Sequence, residues 1–188
     1  MTLIDVLDTL HVLDYDDAFV DAVHSYHVIT SSLRDFDFDE NVSVFETTIR
    51  VLGGLLSAHM ILIDNSTILQ SYNNRHHLQG EKAISYDGHL LNLAVDIGNR
   101  LLNAFQDNGL AYGTVNLRYG VPMNETPISS LAGIGSSLLE FAALSALTNN
   151  MTYLDASRRC TEMLFSLRNP LDMLGKHIDI KNKQWTEV

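Results

Sequence analysis

Ser43-Val-Phe-Glu46-Thr-Thr-Ile-Arg50-Val-Leu-Gly-Gly-Leu-Leu-Ser-Ala-His59 is the stretch that decides how this chain is read. Phe45, Ile49, Leu52 and Leu56 recur at helical spacing, and Val44, Val51, Leu55 and Ala58 fill the flanks. The pattern predicts a helix that is apolar nearly all round, which places it inside a larger core. It nevertheless carries a carboxylate and a guanidinium, and burying a charge costs several kcal/mol unless it is paired. Glu46 and Arg50, four residues apart, share one face. Two readings stay open at this point. Either the two form a private salt bridge, with Ser43-x-x-Glu46 as a capping box, or they belong to a site.

The rest of the chain sets the limits. Its 188 residues suit one domain. With 46% hydrophobic and 19% charged residues it can build a core, and disorder is excluded as a class. A net charge of −11 argues against binding a phosphate backbone, so no nucleic acid is expected as a partner. Cys160 is the one cysteine and allows no internal disulfide. Met1-Thr-Leu-Ile-Asp5 lacks the basic start and apolar run of a signal peptide. Four N-glycosylation tripeptides occur, at Asn41, Asn65, Asn124 and Asn150, with Pro127 directly after the third. They fit a luminal protein, and the expectation is that the parent's true N-terminus lies upstream of Met1.

Periodicity predicts helices at about 3–13, 17–32, 43–63, 88–106, 128–148 and 152–168. Asn73-Asn-Arg-His76-His77 reads as a polar connector, and 107–127, with Gly109, Gly113, Gly120 and Pro122, as loops and short extended pieces. Lys176–Trp185 reads as two short strands turning at Asn182. Gly53, Gly54, Gly133 and Gly135 sit inside apolar helices, where glycine costs about 1 kcal/mol relative to alanine. They are therefore expected to permit close helix approach. The fold expected is all-α, built of layered helical hairpins with short β-hairpins, the helices at 43–63 and 128–148 being inner-layer neighbours. The 128–148 run is not read as a membrane span, because Glu140 interrupts it and it is rich in Ser and Gly.

Four motifs follow one another: Leu3-Ile-Asp5-Val-Leu-Asp8-Thr9-Leu10, the Phe45–Arg50 stretch, Val115-Asn-Leu-Arg-Tyr-Gly120-Val121, and Leu139-Glu140-Phe141. In this order they resemble glycoside hydrolase family 47, the α1,2-mannosidases of the secretory pathway. The wording of the later motifs is most similar to the branch of ER degradation-enhancing α-mannosidase-like proteins. The resemblance runs from about Leu3 to Trp185. One departure is Asp14, where the family usually has glycine after the first motif.

The resemblance implies a partial (α/α)7 barrel, with 1–188 as one incomplete catalytic domain whose C-terminal part is absent. It implies inverting hydrolysis of terminal α1,2-linked mannose on N-glycans of misfolded glycoproteins in the endoplasmic reticulum lumen. The alternative is a mannose-binding quality-control factor without turnover. Glycoside hydrolysis needs two carboxylates flanking the scissile bond. By resemblance Glu46 is the acid, acting directly or through water, and Arg50 holds substrate or carboxylates in place. Asp5 and Asp8 are candidate substrate-binding residues of the opening motif, and the alternative is a helix-start charge pair with Thr9 as a local hydrogen-bonder. Calcium is the implied cofactor, with its protein ligand outside this chain, and no metal ligand is assigned here. The isolated chain is expected to be inactive.

Other candidates are weaker. Glu140 is read as a buried structural carboxylate bonded to neighbouring loops. His24-x-x-His27 has metal-like spacing but no third ligand, so structural or surface histidines are favoured. His76 and His77 are read as loop residues pointing apart, and Cys160 as a core or surface thiol rather than a nucleophile.

Overall fold

The computed structural model describes residues 2–30, 35–65 and 67–187. Ten helical segments carry it: α1 (Thr2–Asp5), α2 (Leu7–Val12), α3 (Asp16–Thr30), α4 (Val44–Glu46), α5 (Gly53–Asp64), α6 (Thr67–Arg75), α7 (His89–Leu102), α8 (Leu131–Gly135), α9 (Leu138–Thr148) and α10 (Thr152–Ser166). A π-helical turn, Thr47–Leu52, fuses α4 and α5 into one helix, Val44–Asp64. Strands β1 (Asn41–Ser43) and β2 (Thr114–Asn116) pair antiparallel. Strands β3 (Ile128–Ser130), β4 (His177–Asp179) and β5 (Gln184–Glu187) form an antiparallel sheet in that order.

The central helix starts where the sequence says it should. Ser43 is extended, and its hydroxyl accepts from the Glu46 amide at 3.3 Å, which satisfies one of the donors a helix start leaves open. The strand before it is pinned too: Val44 N–H donates to Gly113 O at 2.9 Å, and Leu117 N–H to Glu40 O at 3.0 Å. Asn116, nearly fully buried, donates from Nδ2 to Asp39 (3.0 Å) and Asn41 (2.9 Å) and accepts from the amides of Arg118 and Tyr119. Arg118 and Arg100 complete this clamp. Arg118 bonds Asp37 and its carbonyl, and Arg100 bonds Asp96, Asp37 and Leu117 O.

Beyond the π turn the helix is packed on several sides. Leu52, Leu55, Leu56 and Ala58 are buried with Leu7, Phe19, Leu90, Ile97, Leu101 and Phe141 in the main core. At about 1.5–3 kcal/mol per fully buried large side chain, this cluster holds the molecule together. A smaller core under α10 gathers Leu110, Ile134, Cys160, Leu164, Ile178 and Ile180. Gly54 decides how the N-terminus joins. A Cβ there would lie 2.8 Å from Ile4 O, so only glycine lets α1 come this close. Gly135 faces the Leu164 side chain of α10, its Cβ position 3.1 Å from Cδ1, a tight but side-chain contact, whereas Gly133 faces the capping hydroxyl of Ser130 in its own turn rather than another helix.

Several boundaries depart from expectation. The first helix is broken at Val6 into α1 and α2, just after Ile4, which seats on Gly54. The expected 128–148 helix opens as strand β3, paired across to β4, and breaks again at Ser136–Ser137. Residues 67–75 form α6, with only its end in the expected polar connector. The two tail strands lie as expected, and β3 joins them. The end of the predicted 17–32 helix lies outside the described residues, as does the side chain of His27.

The helices over 43–63 and 128–148 are neighbours: Gly53 sits against Glu140, its Cβ position 3.6 Å from Glu140 Cγ. Val44–Asp64 and Leu131–Thr148 are each long and apolar enough to cross a membrane, by length and composition only. The first buries most of its apolar window in the core. The second is covered along one side, where Phe141, Leu144 and Ser145 pack inward, while Leu139 is 77% exposed.

Candidate functional site

Arg50 is the hub. Its Nε bonds Glu46 Oε2, one helical turn earlier, and its Nη1 reaches Asp5 Oδ2 at 3.2 Å, 45 residues away in sequence. The two carboxylates hold the guanidinium firmly protonated, the Glu46 hydrogen bond being the larger cause. All three side chains are open to solvent, at 45% for Arg50 and Glu46 and 40% for Asp5. That corrects the expectation of a buried charge pair. The helix is apolar toward the core, but Ile49 and Arg50 emerge on its free side.

Two local devices create the cluster. Gly54 admits the α1 backbone at Ile4, and the next residue, Asp5, is thereby presented to Arg50. The π turn then changes the register under the site, with Gly53 N–H bonding Thr48 O five residues back. Thr48 is buried, and its hydroxyl has no hydrogen-bond partner among the described residues. Asp8 stays apart from the cluster. The break at Val6 separates it from Asp5, and it accepts from Thr9 Oγ1 at 3.5 Å.

Glu140 also corrects its expected role. Its Oε2 is buried without a hydrogen-bond partner among the described residues, and the bond its carboxylate does make is to its own backbone amide rather than to a loop. Burial raises its carboxyl above the usual range. It faces Gly53, three residues on from Arg50, and Ser137, one turn before it, carries a buried hydroxyl with no partner among the described residues. The signal was present in the sequence: no basic residue stands at i±3 or i±4 of Glu140, unlike Glu46 with its Arg50. A carboxylate alone on an apolar helix is either an error of folding or a working group.

The remaining candidates fall into structural roles. Cys160 is fully buried, donates to Ile134 O at 3.1 Å, and burial pushes its thiol up to about 12. His76 stacks on Tyr72 and pairs with Asp17 at 3.4 Å, while His24 is exposed. His24 lines a cavity of about 540 Å³ with Val20, Leu62, Tyr86 and His89, remote from Arg50 along the central helix. Calcium takes six to eight oxygen ligands. Among the described residues no group of three His, Cys, Asp or Glu side chains gathers, and Asp5 and Glu46 both face a cation already. The residues here do not fit that ion.

A family model, glycosyl hydrolase family 47, matches residues 1–188. The chain belongs to that family. It is 41% identical to alpha-mannosidase I MNS4 of Arabidopsis thaliana over 100% of its own length and 28% of that protein. It is 40% identical to human ER degradation-enhancing alpha-mannosidase-like protein 2, over 98% of this chain and 30% of the relative. The chain thus spans under a third of these relatives. Among solved structures it is similar to an alpha-1,2-mannosidase from Trichoderma reesei, with a TM-score of 0.75 and 27% identity, over 98% of this chain and 36% of that one. The mostly helical architecture is that of a family 47 mannosidase over this region.

The departure at Asp14 has a backbone reason. Asp14 ends α2 in the left-handed region, at φ 61°, with Tyr15 N–H closing onto Leu10 O at 2.8 Å. Glycine takes this conformation freely, and aspartate is one of the few other residues that tolerate it.

Proposed function

We propose that this chain supplies the substrate-gripping and proton-donating part of an inverting α1,2-mannosidase of the secretory pathway. Its substrates are terminal mannose residues on oligomannose N-glycans of misfolded glycoproteins in the endoplasmic reticulum lumen. The observation that carries this reading is the Asp5–Arg50–Glu46 cluster, assembled from two motifs 45 residues apart and left open to solvent.

A sugar presents hydroxyls that both donate and accept. Arg50 donates from a planar fork, while Asp5 and Glu46 accept, so the cluster can hold two neighbouring hydroxyls in fixed orientation. In inverting hydrolysis one carboxylic acid protonates the leaving oxygen, and a second carboxylate takes a proton from the water that attacks the opposite face. Glu46 takes the acid role, directly or through a water. Glu140, kept protonated to higher pH by burial, adds a hydrogen-bond donor at the edge of the same region. The water-activating carboxylate and any calcium ligands belong to the part of a full-length domain that completes the (α/α)7 barrel, of which residues 1–188 form one portion.

The second reading is a mannose-binding factor without turnover. It draws on the same cluster, since grip needs no second carboxylate. Proton NMR of a family-length polypeptide containing this chain, mixed with an oligomannose glycan, separates the two. The enzyme reading predicts release of free mannose that appears first as the inverted β-anomer. Saturable glycan binding without any free mannose selects the binding factor, and first appearance of the α-anomer removes the inverting mechanism.

A further inference from the structure

We propose that Tyr119 is a stacking platform for a mannose unit of the bound glycan other than the one being cleaved, so that it sets how well a long glycan is held; the proposal rests on the mannosidase reading. Tyr119 is 71% exposed at the tip of the 116–120 turn. That turn is closed from both sides: Asn116 N–H donates to Gly120 O at 2.8 Å, and Gly120 N–H to Asn116 O at 3.0 Å. Asn116 Oδ1 accepts the amides of Arg118 and Tyr119, each at 3.0 Å. Gly120 stands at φ 80°, where a side chain would be strained, and so lets the turn close. An exposed ring on a backbone held this firmly is already in place before a ligand arrives.

The side chain is held as well. The Arg118 guanidinium is kept protonated first by its hydrogen bond to Asp37 and then by one with the Tyr119 hydroxyl. Arg118 is itself fixed, through Nε to Asp37 at 3.0 Å and through Nη2 to the Asp37 carbonyl at 2.6 Å. With its hydroxyl tied, the ring gives up little freedom when something packs on it. A ring this exposed contributes little to the core, yet it has a face free for a ligand. The face of an aromatic ring carries negative charge, and a pyranose offers a patch of C–H bonds to it.

The turn lies at the same end of the helices as Arg50. Strand β1 leads into the central helix, and Asn41 of β1 pairs with Asn116 at the foot of the turn. From Asn41 to Glu46 is two strand steps and one helical turn, on the order of 10 Å. Helix α7 agrees with this placement. His59, late in α5, meets Tyr86 ahead of α7, so the two helices run antiparallel and the end of α7 lies beside the start of the central helix. There Arg100 donates to Leu117 O at 2.7 Å, and a Cβ on Gly120 would lie 3.6 Å from Asn103 Cβ. The separation decides the role. Tyr119 stands too far from Glu46 to touch the mannose being cleaved, and near enough to meet a unit of the same glycan a few linkages away.

The test uses a family-length polypeptide containing this chain and two substrates, an oligomannose N-glycan and the disaccharide α1,2-mannobiose. Tyr119→Ala should raise KM for the glycan about three- to tenfold, the worth of one aromatic contact, with kcat within about twofold. Both constants for the disaccharide should stay as in wild type, because it cannot reach from Glu46 to the turn. Tyr119→Phe and Tyr119→Trp, which keep a ring face, should keep the wild-type KM. An unchanged KM for the glycan in Tyr119→Ala overturns the inference, as does an equal loss on both substrates. Tyr119→Phe matching Tyr119→Ala also overturns it, since the hydroxyl would then act through Arg118 and the ring face would not. A wild type that binds the glycan but releases no mannose removes the turnover reading alone, and the same comparison made on Kd by calorimetry then decides the role of Tyr119. A wild type that neither binds nor cleaves the glycan removes both.

Discussion

Two arginine clusters sit at opposite ends of the short β1 segment, and they are built differently. Arg100 and Arg118 reach backbone carbonyls, Leu117 O at 2.7 Å and Asp37 O at 2.6 Å, in addition to carboxylates. Arg100 is only 17% exposed. Among the described residues Arg50 bonds side chains alone, and it is open to solvent. An arginine that ties down carbonyls fixes the path of the chain, while one that holds only exposed carboxylates can exchange them for a ligand. The first cluster positions the start of the central helix. The second is the one that, under the proposed function, would meet a substrate.

That contrast can be broken by substitution. In a family-length polypeptide containing this chain, Arg50→Ala should lower mannose release by roughly 100-fold or more, the usual loss when a substrate-orienting group is removed. Its effect on stability should stay under about 1 kcal/mol, as for other exposed pairs. Arg100→Ala should do the reverse, lowering stability by about 2–3 kcal/mol in a urea melt, because it takes away the cation facing Asp96 and the donor to the Leu117 carbonyl. Equal stability losses for the two variants would erase the distinction.

Glu140 sharpens the comparison through pH. Its folded-state carboxyl is raised by burial above the ordinary 4.5. Between that value and the raised one the folded state binds more protons than the unfolded state, so stability falls as pH rises through this window. Glu140→Gln should flatten that fall when thermal melts are compared at pH 4 and pH 7, leaving the acid side unchanged. A parallel pH dependence in the variant would assign the slope to other groups. The smallest effect is expected at Asp14. Asp14→Gly should raise stability by up to about 1 kcal/mol, since it removes a left-handed non-glycine residue. A loss instead would mean that the Asp14 side chain contributes more than its backbone strain removes.

How much of this was written in the sequence differs from residue to residue. The Glu46–Arg50 pair and its Ser43 cap were legible, since both follow from spacing along one helix. The meeting of Asp5 with Arg50 was not, because it depends on the approach of α1 to Gly54, a tertiary contact. The break at Val6 was invisible because valine carries no helix-stop signal in sequence. Apolar spacing assumes 3.6 residues per turn and carries no trace of the π turn, within which Ile49 of the expected apolar stripe comes out exposed. Strand β3 could not be seen because its partner lies some 50 residues later, at His177–Asp179. Glu140 was legible in principle: a carboxylate with no cation within a turn asked for an explanation that its neighbours do not supply.

The central claim is that the open Asp5–Arg50–Glu46 cluster does chemistry rather than holding the fold. The most direct measurement compares wild type and Glu46→Gln in a family-length polypeptide containing this chain, reading mannose release from an oligomannose glycan and the melting temperature side by side. The account predicts that turnover disappears while melting shifts by no more than an exposed ion pair allows, about 1 kcal/mol. Retained turnover with an unchanged pH profile, or loss of turnover accompanied by unfolding, would contradict it.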